Sequence, residues 1–377
     1  MLQVVLFIKA SSTGNQLMFA TLLTIFSLLL SNYGGLCHTE ACSKGALSTM
    51  HTTSMVKSCT VQKRKYVVIA APGMEQMAQK IQEHCPERFV NVLGTKWEKF
   101  PDGTDSIEIG GYSPENKISG KNVIFLCNFY DNDVTLSQIS VMITLLQSFI
   151  ESLTIVLPFY PVGTMERVSK DGQVATASTY AQMLSNLPSC GRPTRVMLYD
   201  IHTLQNKFYL QNNAFASLHT TMPLLVEILK YTKIDCVSFP DDGAAKRFGE
   251  FFDGLGFEIV TCGKTRDGDN RKVIVQDGSP LGKHVIIVDD LVQTGGTLYE
   301  CGVALKKAGA ISVSAYVAHA VFPQDAWERF LCGGDRNCFD IFYVSNSVPS
   351  IVQKLPKDDV FRVVDISRAI IDDLDRF

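Results

Sequence analysis

The chain has 377 residues, a formal net charge of −3 and a hydrophobic content of 46%, an ordinary globular composition with room for about two domains after any leader. The near-neutral charge gives no sign of a nucleic-acid-binding surface. The 11 cysteines are odd in number and scattered, and no Cys-x-x-Cys pair occurs, which argues against a disulfide framework or a zinc site.

The N-terminal segment, residues 1–60, differs in composition from the rest. It carries one acidic residue, Glu40, and many serines and threonines. Residues 17–30 form an apolar run that is short for a membrane span and typical of a signal-peptide core, and the Ser/Thr-rich stretch 31–58 is typical of a transit segment. We predict a disordered targeting leader, with a helix near 17–30, for a plastid enclosed by extra membranes or another organelle. A signal anchor, a mispredicted start codon and a cytoplasmic protein are the alternatives.

Strands and helices alternate from Tyr66 onward. Short apolar runs predict strands, and apolar residues at helical spacing predict helices. Predicted strands are 66–71, 89–93, 105–109, 122–127, 153–158, 195–201, 236–239, 257–261, 272–275, 285–288, 312–317, 341–344 and 361–364, and the clearest helices are 74–85, 134–149 and 298–308. The alternation indicates mostly parallel sheets with crossover helices. We predict two α/β domains, 66–212 and 213–377, joined near 211–221.

The most informative stretch is 284–310. A buried strand, 285–288, precedes Asp289 and Asp290, which we expect at its end. Gln293-Thr294-Gly295-Gly296-Thr297 then forms a small-residue turn, and the following helix has Gly309 as its C-terminal cap. A strand, a glycine turn and a helix start expose unpaired backbone N–H groups to an anion. This predicts a phosphate cradle.

The two acids of this stretch would repel a phosphate. They are explained if they hold sugar hydroxyls, or a metal that neutralises phosphates. The alternative is a helix cap with solvated acids. A nucleotide P-loop is excluded, because the Gly-Lys-Ser/Thr signature is absent.

Polar residues follow other predicted strands. Ligands of open α/β sheets bind beyond the carboxyl ends of the strands. Candidate site residues at such positions are Asp102, Asp200, His202, Asp241, Lys264 and Arg266. Lys246 and Arg247 either cap a helix or contact phosphate.

Six sequence blocks together resemble the ribose-phosphate diphosphokinases, also called PRPP (5-phosphoribosyl diphosphate) synthetases, and are most similar to the plant-type, class II members. The blocks are FPDG at 100–103, PFYPVGTMERV at 158–168, YDIH at 199–202, FPDDGAAKRF at 239–248, CGKTR at 262–266 and VIIVDDLVQTGGTL at 285–298. The resemblance implies two type I phosphoribosyltransferase-like domains. It also implies transfer of the diphosphate of Mg-ATP to the 1-hydroxyl of ribose 5-phosphate. The products would be AMP and PRPP, which serves nucleotide biosynthesis.

The resemblance assigns roles to the candidate residues. Thr294, Gly295, Gly296 and Thr297 would hold the 5-phosphate, and Asp289 the ribose hydroxyls. Gln293 stands where most of the family has Asp. Further roles are catalysis for Lys264 and Arg266, a lid for 267–270, and magnesium binding for His202, Asp241 and Asp200, although Asp200 could instead only orient the histidine.

The ATP site departs from the commoner pattern. Asp102 and Gly103 match one half of it, and Thr104 replaces the usual Glu. In the other half, Thr164 and Met165 replace Arg and Gln. Adenine would then be bound by different side chains. The plant-type members share the GTMER sequence found here at 163–167.

The resemblance also implies partners. It suggests a homo-oligomer that binds ATP and ribose 5-phosphate, with no nucleic acid and no stable membrane contact of the mature chain. Two alternatives are a phosphoribosyltransferase, which normally has one such domain and lacks the YDIH and KTR blocks, and a non-catalytic regulatory homologue of the synthetases.

Overall fold

The computed structural model describes residues 63–267 and 270–376, without the side chains of 266–271. The predicted leader, residues 1–60, lies outside the described residues. Among the described helices, each is too short or too polar to cross a membrane.

The first sheet is built from the apolar runs of the first half of the chain. Its strands are β1 (Tyr66–Ala70), β2 (Phe89–Asn91), β5 (Asn122–Leu126), β6 (Ser152–Leu157), β7 (Thr194–Tyr199) and β8 (Ala214–His219). Within the described residues they form one six-stranded sheet in the order β2-β1-β5-β6-β7-β8, and every pair is parallel. Since apolar clusters cover both faces, the central strands read as continuous apolar runs rather than as alternating ones.

Helices and a small hairpin complete this half. The helices are α1 (Glu75–His84), α2 (Asn132–Leu146) and α3 (Thr176–Ser185). The hairpin consists of β3 (Lys96–Lys99) and β4 (Asp105–Glu108), which pair antiparallel apart from the main sheet. Strand β3 is polar, and the sequence did not predict it.

The second sheet contains the later strands. They are β9 (Cys236–Phe239), β10 (Glu258–Asp267), β11 (Asn270–Asp277), β12 (His284–Val292), β13 (Ser312–Ala320), β14 (Phe342–Ser345) and β15 (Phe361–Val364). In the part of the chain that the structure describes, their order is β11-β10-β9-β12-β13-β14-β15. All pairs are parallel except the β10–β11 hairpin, so the prediction of mostly parallel sheets flanked by helices is confirmed.

The helices of the second half are α4 (Met222–Leu229), α5 (Asp242–Asp253), α6 (Gly296–Lys307), α7 (Pro349–Val352) and α8 (Ser367–Leu374). Helix α5 connects β9 to β10, and α6 connects β12 to β13. The C-cap of α6 is Ala308, and Gly309 follows with φ +94°, as the sequence predicted for a helix that ends on glycine.

The border between the two halves differs from the prediction. Residues 211–221 were predicted as a joining segment, but they contain β8, which pairs with β7 along its whole length. The C-terminal helix α8 also packs on the first sheet, since Ile366, Ile370 and Leu374 share a buried cluster with Tyr66 and Val68. The predicted boundary at 212/213 is therefore crossed twice, because apolar surface of the first sheet is covered by residues from beyond it.

Strand β12 is longer than predicted. The sequence placed its end before Asp289, yet Asp289, Leu291 and Val292 pair with β13. The strand continues because β13 extends beside it to Ala320. Of the predicted lid at 267–270, Asp267 ends β10 and Asn270 begins β11, and residues 268 and 269 lie outside the described residues.

We predict that the packing of α8 on the first sheet stabilises the whole fold. Ile370 is fully buried, so Ile370→Ala should lower the free energy of unfolding in urea by about 2–5 kcal/mol. The matched control is Arg368→Ala on the same helix, whose side chain is 66% exposed and whose loss should cost less than about 0.5 kcal/mol. Equal unfolding midpoints for the two variants would show that α8 contributes little.

Candidate active site

The glycine turn between β12 and α6 forms one wall of a cavity of about 290 Å³. Its lining residues are Asp241, Asp289 and residues 291–298. Gly295 is the N-cap of α6, and no side chain caps this helix end. The N–H groups of the first helical turn therefore remain available to an anion.

Position 295 requires glycine because of its backbone conformation and because of the neighbouring side chain of Phe330. Its φ is +71°, in the left-handed region that disfavours side chains. A Cβ at this position would also lie 2.4 Å from Cζ of Phe330. Phe330 is fully buried in the aromatic cluster of the second half, so it cannot move aside. The turn is thus held from beneath by a side chain that the sequence analysis did not identify.

Two carboxylates face the same cavity from adjacent strands. Asp241 follows β9 and caps α5, with Oδ1 accepting from the backbone N of Gly243 at 2.9 Å and of Ala244 at 3.0 Å. Asp289 lies on β12. Burial, together with the charge of neighbouring Asp290, raises the pKa of Asp289 well above its ordinary value. A cation between Asp241 and Asp289 would offset that effect and stabilise the ionised carboxylates.

His202 and Asp290 join the first half of the chain to the site. Nδ1 of His202 lies 2.9 Å from Oδ2 of Asp290, and Arg247 Nη1 donates to the same oxygen at 3.1 Å. The hydrogen bond with Asp290 raises the pKa of His202. Burial acts to raise the pKa of Asp290, but His202 and Arg247 outweigh it and hold that pKa below its ordinary value. Arg247 therefore pairs with a carboxylate, a contact that the sequence analysis did not foresee.

Lys264 reaches the glycine turn from β10. Its Nζ donates to Oγ1 of Thr297 at 3.0 Å. The side chain of Arg266, two residues further along the strand, lies outside the described residues. The structure thus brings Lys264, the turn 293–297, Asp289 and Asp241 together, with His202 attached through Asp290.

Asp200, which the sequence analysis predicted as a metal ligand, lies outside this group. Its carboxylate accepts from Thr220 Oγ1 at 2.7 Å and from the backbone N of Thr221 at 2.8 Å, with a further bond from Thr221 Oγ1. The residue is 1% exposed. Its oxygens are engaged inside the protein, so Asp200 fixes the start of α4. It does not line the cavity, and within the described residues no hydrogen bond joins it to His202.

The predicted ATP residues lie in two separate segments. Asp102 Oδ1 accepts from the backbone N of Thr104 at 3.0 Å and from its Oγ1 at 2.7 Å, bonds that lower the pKa of Asp102, and Gly103 completes this exposed turn with φ +87°. Thr164 and Met165 end a short 3-10 turn after β6. Among residues 63–267 and 270–376, no hydrogen bond or ion pair joins the two segments.

In the described part of the chain, no group of three or more His, Cys, Asp or Glu side chains is arranged to hold a metal ion by itself. Magnesium, however, usually takes only one or two carboxylates together with substrate phosphates and waters. Asp241 and Asp289, on one cavity beside an anion cradle, fit that pattern.

We predict that Gly295→Ala disrupts the turn while Gly296→Ala does not. Alanine at 295 would have to adopt positive φ and overlap Phe330, so the free energy of unfolding should fall by at least about 1–2 kcal/mol. At Gly296 a Cβ meets its nearest atoms at 3.9 Å, so that variant should unfold at the same urea concentration as the parent chain. An unchanged Gly295→Ala midpoint would contradict the contact with Phe330.

Comparison with solved structures supports the fold. A phosphoribosylpyrophosphate synthetase from Mycobacterium smegmatis superposes with a TM-score of 0.67, covering 82% of this chain and 97% of that one at 20% identity. Two family models also match. The N-terminal domain of ribose phosphate pyrophosphokinase matches residues 66–187, and the phosphoribosyl transferase domain matches residues 222–329.

Curated relatives match over most of their length. Ribose-phosphate pyrophosphokinase 4 of Oryza sativa subsp. japonica is 42% identical over 80% of this chain and 92% of its own. The Arabidopsis thaliana protein of the same name is 38% identical over 89% of this chain and 99% of its own length. Ribose-phosphate pyrophosphokinase 3, mitochondrial, of Spinacia oleracea is 37% identical over 81% of this chain and 76% of its own length. This chain therefore belongs to the ribose-phosphate pyrophosphokinase, or PRPP synthetase, family.

Proposed function

We propose that this protein transfers the diphosphate group of Mg-ATP to the 1-hydroxyl of ribose 5-phosphate, giving PRPP and AMP. The observation that carries the proposal is the cavity in which Asp241 and Asp289 face the glycine turn, with Lys264 bonded to Thr297 at its rim. An uncapped helix start and a pair of acids side by side suit a ligand that has both a phosphate and sugar hydroxyls.

Ribose 5-phosphate would bind through its two polar ends. The 5-phosphate accepts hydrogen bonds from the backbone N–H groups and hydroxyls of Thr294–Thr297, where the glycines let it approach the main chain closely. The ribose hydroxyls donate to Asp289 on the adjacent strand. Gln293 contributes a neutral side chain to the same turn. Fixing the sugar at both ends would position its 1-hydroxyl for attack.

Lys264 would stabilise the transition state by electrostatics. Attack on the β-phosphorus of ATP increases the negative charge on the transferring diphosphate, and a positioned cation is most effective where that charge develops. Lys264 is at the rim of the cavity already, through Thr297. Arg266 follows on the same strand, and we propose that it serves the same purpose.

Asp241 and Asp289 would hold Mg²⁺, with His202 near it or bound through a water. When bound, magnesium supplies Lewis-acid neutralisation of the ATP phosphates. The contribution of the chain is to present free carboxylate oxygens. Oδ1 of Asp241 accepts the hydrogen bonds that cap α5, so Oδ2 is available to a metal ion.

The nucleotide base would be gripped in the class II manner. Thr164 and Met165 take the places of Arg and Gln in the commoner pattern, and Asp102, Gly103 and Thr104 form the other part. The assignment to class II is supported by the GTMER sequence at 163–167 and by similarity to plant relatives. We also propose a homo-oligomer.

An organelle is the proposed location. Residues 1–60 have the composition of a targeting leader, and the spinach relative is named mitochondrial. A fluorescent fusion of residues 1–60 would distinguish plastid, mitochondrial and cytoplasmic locations.

The activity is tested by incubating the full-length protein with Mg-ATP and ribose 5-phosphate. We expect AMP and PRPP in equal amounts, complete loss with excess chelator and recovery with Mg²⁺, because the cavity acids need a cation to accept a polyphosphate beside them. Formation of ADP instead of AMP would contradict diphosphate transfer. Absence of both products would favour a non-catalytic regulatory subunit.

We predict that Lys264→Ala lowers kcat by about a hundredfold or more, since removal of one preorganised donor or charge at a transition state has effects of this size. Lys272→Ala is the matched control. Lys272 is an exposed lysine on β11, opposite Thr265 of β10, and its loss should change kcat by less than about threefold. Equal losses in the two variants would point to damage of the hairpin rather than to a role for the charge.

A further inference from the structure

An arginine outside the recognised sequence blocks contacts the glycine turn. Nη1 of Arg336 donates to the carbonyl oxygen of Thr294 at 2.5 Å, and the guanidinium lies 5.9 Å from the ring centroid of Tyr299. Both Nη atoms are 3.9 Å from the position that a Cβ on Gly296 would occupy. The positive charge therefore lies directly beside the start of α6.

The segment that carries Arg336 also supports the turn from beneath. It begins near Phe330, which packs under Gly295. The backbone N of Arg336 donates to Arg329 O at 2.8 Å. At Gly334 a Cβ would lie 2.3 Å from the same carbonyl oxygen, so the close approach requires glycine. Arg329 Nε further donates to Asp335 Oδ1 at 2.9 Å. Arg336 is thus fixed relative to the turn.

The guanidinium of Arg336 has N–H donors that are not used in hydrogen bonds to the described residues. Arginine carries five N–H groups in a planar fork, and among the described residues its side chain makes the one hydrogen bond to Thr294. Nη2 has no hydrogen-bond partner in that part of the chain, although it lies next to Gly296. A phosphate oxygen bound at the first turn of α6 would find a charged donor there, and guanidinium–phosphate bonds are among the stronger hydrogen bonds in proteins.

Charge balance supports the same role. Residues 291–299 contain no charged side chain, and Gln293 adds none. A sugar phosphate near neutral pH brings close to two negative charges, whereas a helix N-terminus supplies only about half a positive charge. Lys264 approaches the turn at Thr297 and Arg336 approaches it at Thr294. With Lys264 committed to the transferring diphosphate, Arg336 remains to neutralise the 5-phosphate.

We propose that Arg336 binds the 5-phosphate of the sugar substrate and sets the affinity for it, an inference that rests on the proposed function. A purely structural role is the alternative, in which the bond to Thr294 O only braces the turn. The two differ in their kinetic effect. A phosphate contact made equally in ground and transition states changes KM for ribose 5-phosphate and leaves kcat unchanged, whereas a displaced turn impairs kcat and the unfolding midpoint as well.

The test compares full-length Arg336→Gln and Arg336→Lys with the parent chain. For Arg336→Gln, KM for ribose 5-phosphate should rise about tenfold or more, with kcat, KM for ATP and the urea midpoint unchanged. Arg336→Lys keeps the positive charge but lacks the planar guanidinium donors, so its KM should lie between those of the parent chain and Arg336→Gln. Higher ionic strength should weaken ribose 5-phosphate binding more in the parent chain than in Arg336→Gln.

Arg362→Gln is the matched control. Arg362 also donates to backbone carbonyl oxygens, those of Asp359 and Phe361, which lie outside the glycine turn at 293–297. The inference is overturned if KM in Arg336→Gln stays at the parent value, or if kcat falls instead of KM rising. Should Arg336→Gln fail to fold, a KM of Arg336→Lys equal to that of the parent chain overturns it. A parent chain that makes no AMP would refute the proposed function instead.

Discussion

The site depends on two adjacent parallel strands whose chains leave the sheet in opposite directions. Strand β9 pairs with β10 on one side and with β12 on the other, and the helices that follow β9 and β12 pack on opposite faces of the sheet. Such a switch point leaves a crevice at the carboxyl ends of the strands. Asp241 caps one helix there and Gly295 opens the other. The cavity is a consequence of strand order, and its chemistry follows from the residues at those two positions.

The acids of β12 serve different partners because successive strand residues point to opposite faces. Asp289 faces the cavity, whereas Asp290 is held by His202 and Arg247. That contact joins the segment between β7 and β8 of the first sheet to the second sheet. Buried contacts beside it strengthen the connection, since His319 of β13 bonds to the carbonyl oxygen of Tyr199. The geometry of the cavity is therefore coupled to the arrangement of both sheets.

Much of the fold was predictable from local patterns. Strands buried on both faces appear as continuous apolar runs, so β5, β6 and β12 were recognised. The polar strand β3 was missed, because its stabilisation comes from pairing with β4 and not from its own composition. Strand β8 was read as a linker, and α8 was assigned to the second half although it packs on the first sheet. Both depend on contacts between residues far apart in the chain, which local periodicity does not record.

For the site, the sequence by itself predicted the anion cradle at 293–297, the acid at Asp289 and the lysine at Lys264, because each prediction depends on residue type and spacing within its own short segment. Only the tertiary structure decided which polar residues share the cavity. It engages the carboxylate of Asp200 with Thr220 and Thr221, and it brings Arg336, some forty residues further along the sequence, to the carbonyl oxygen of Thr294 in the turn. The reason is physical: a side chain's hydrogen-bond partners are set by how distant segments pack, and a linear sequence does not state that packing.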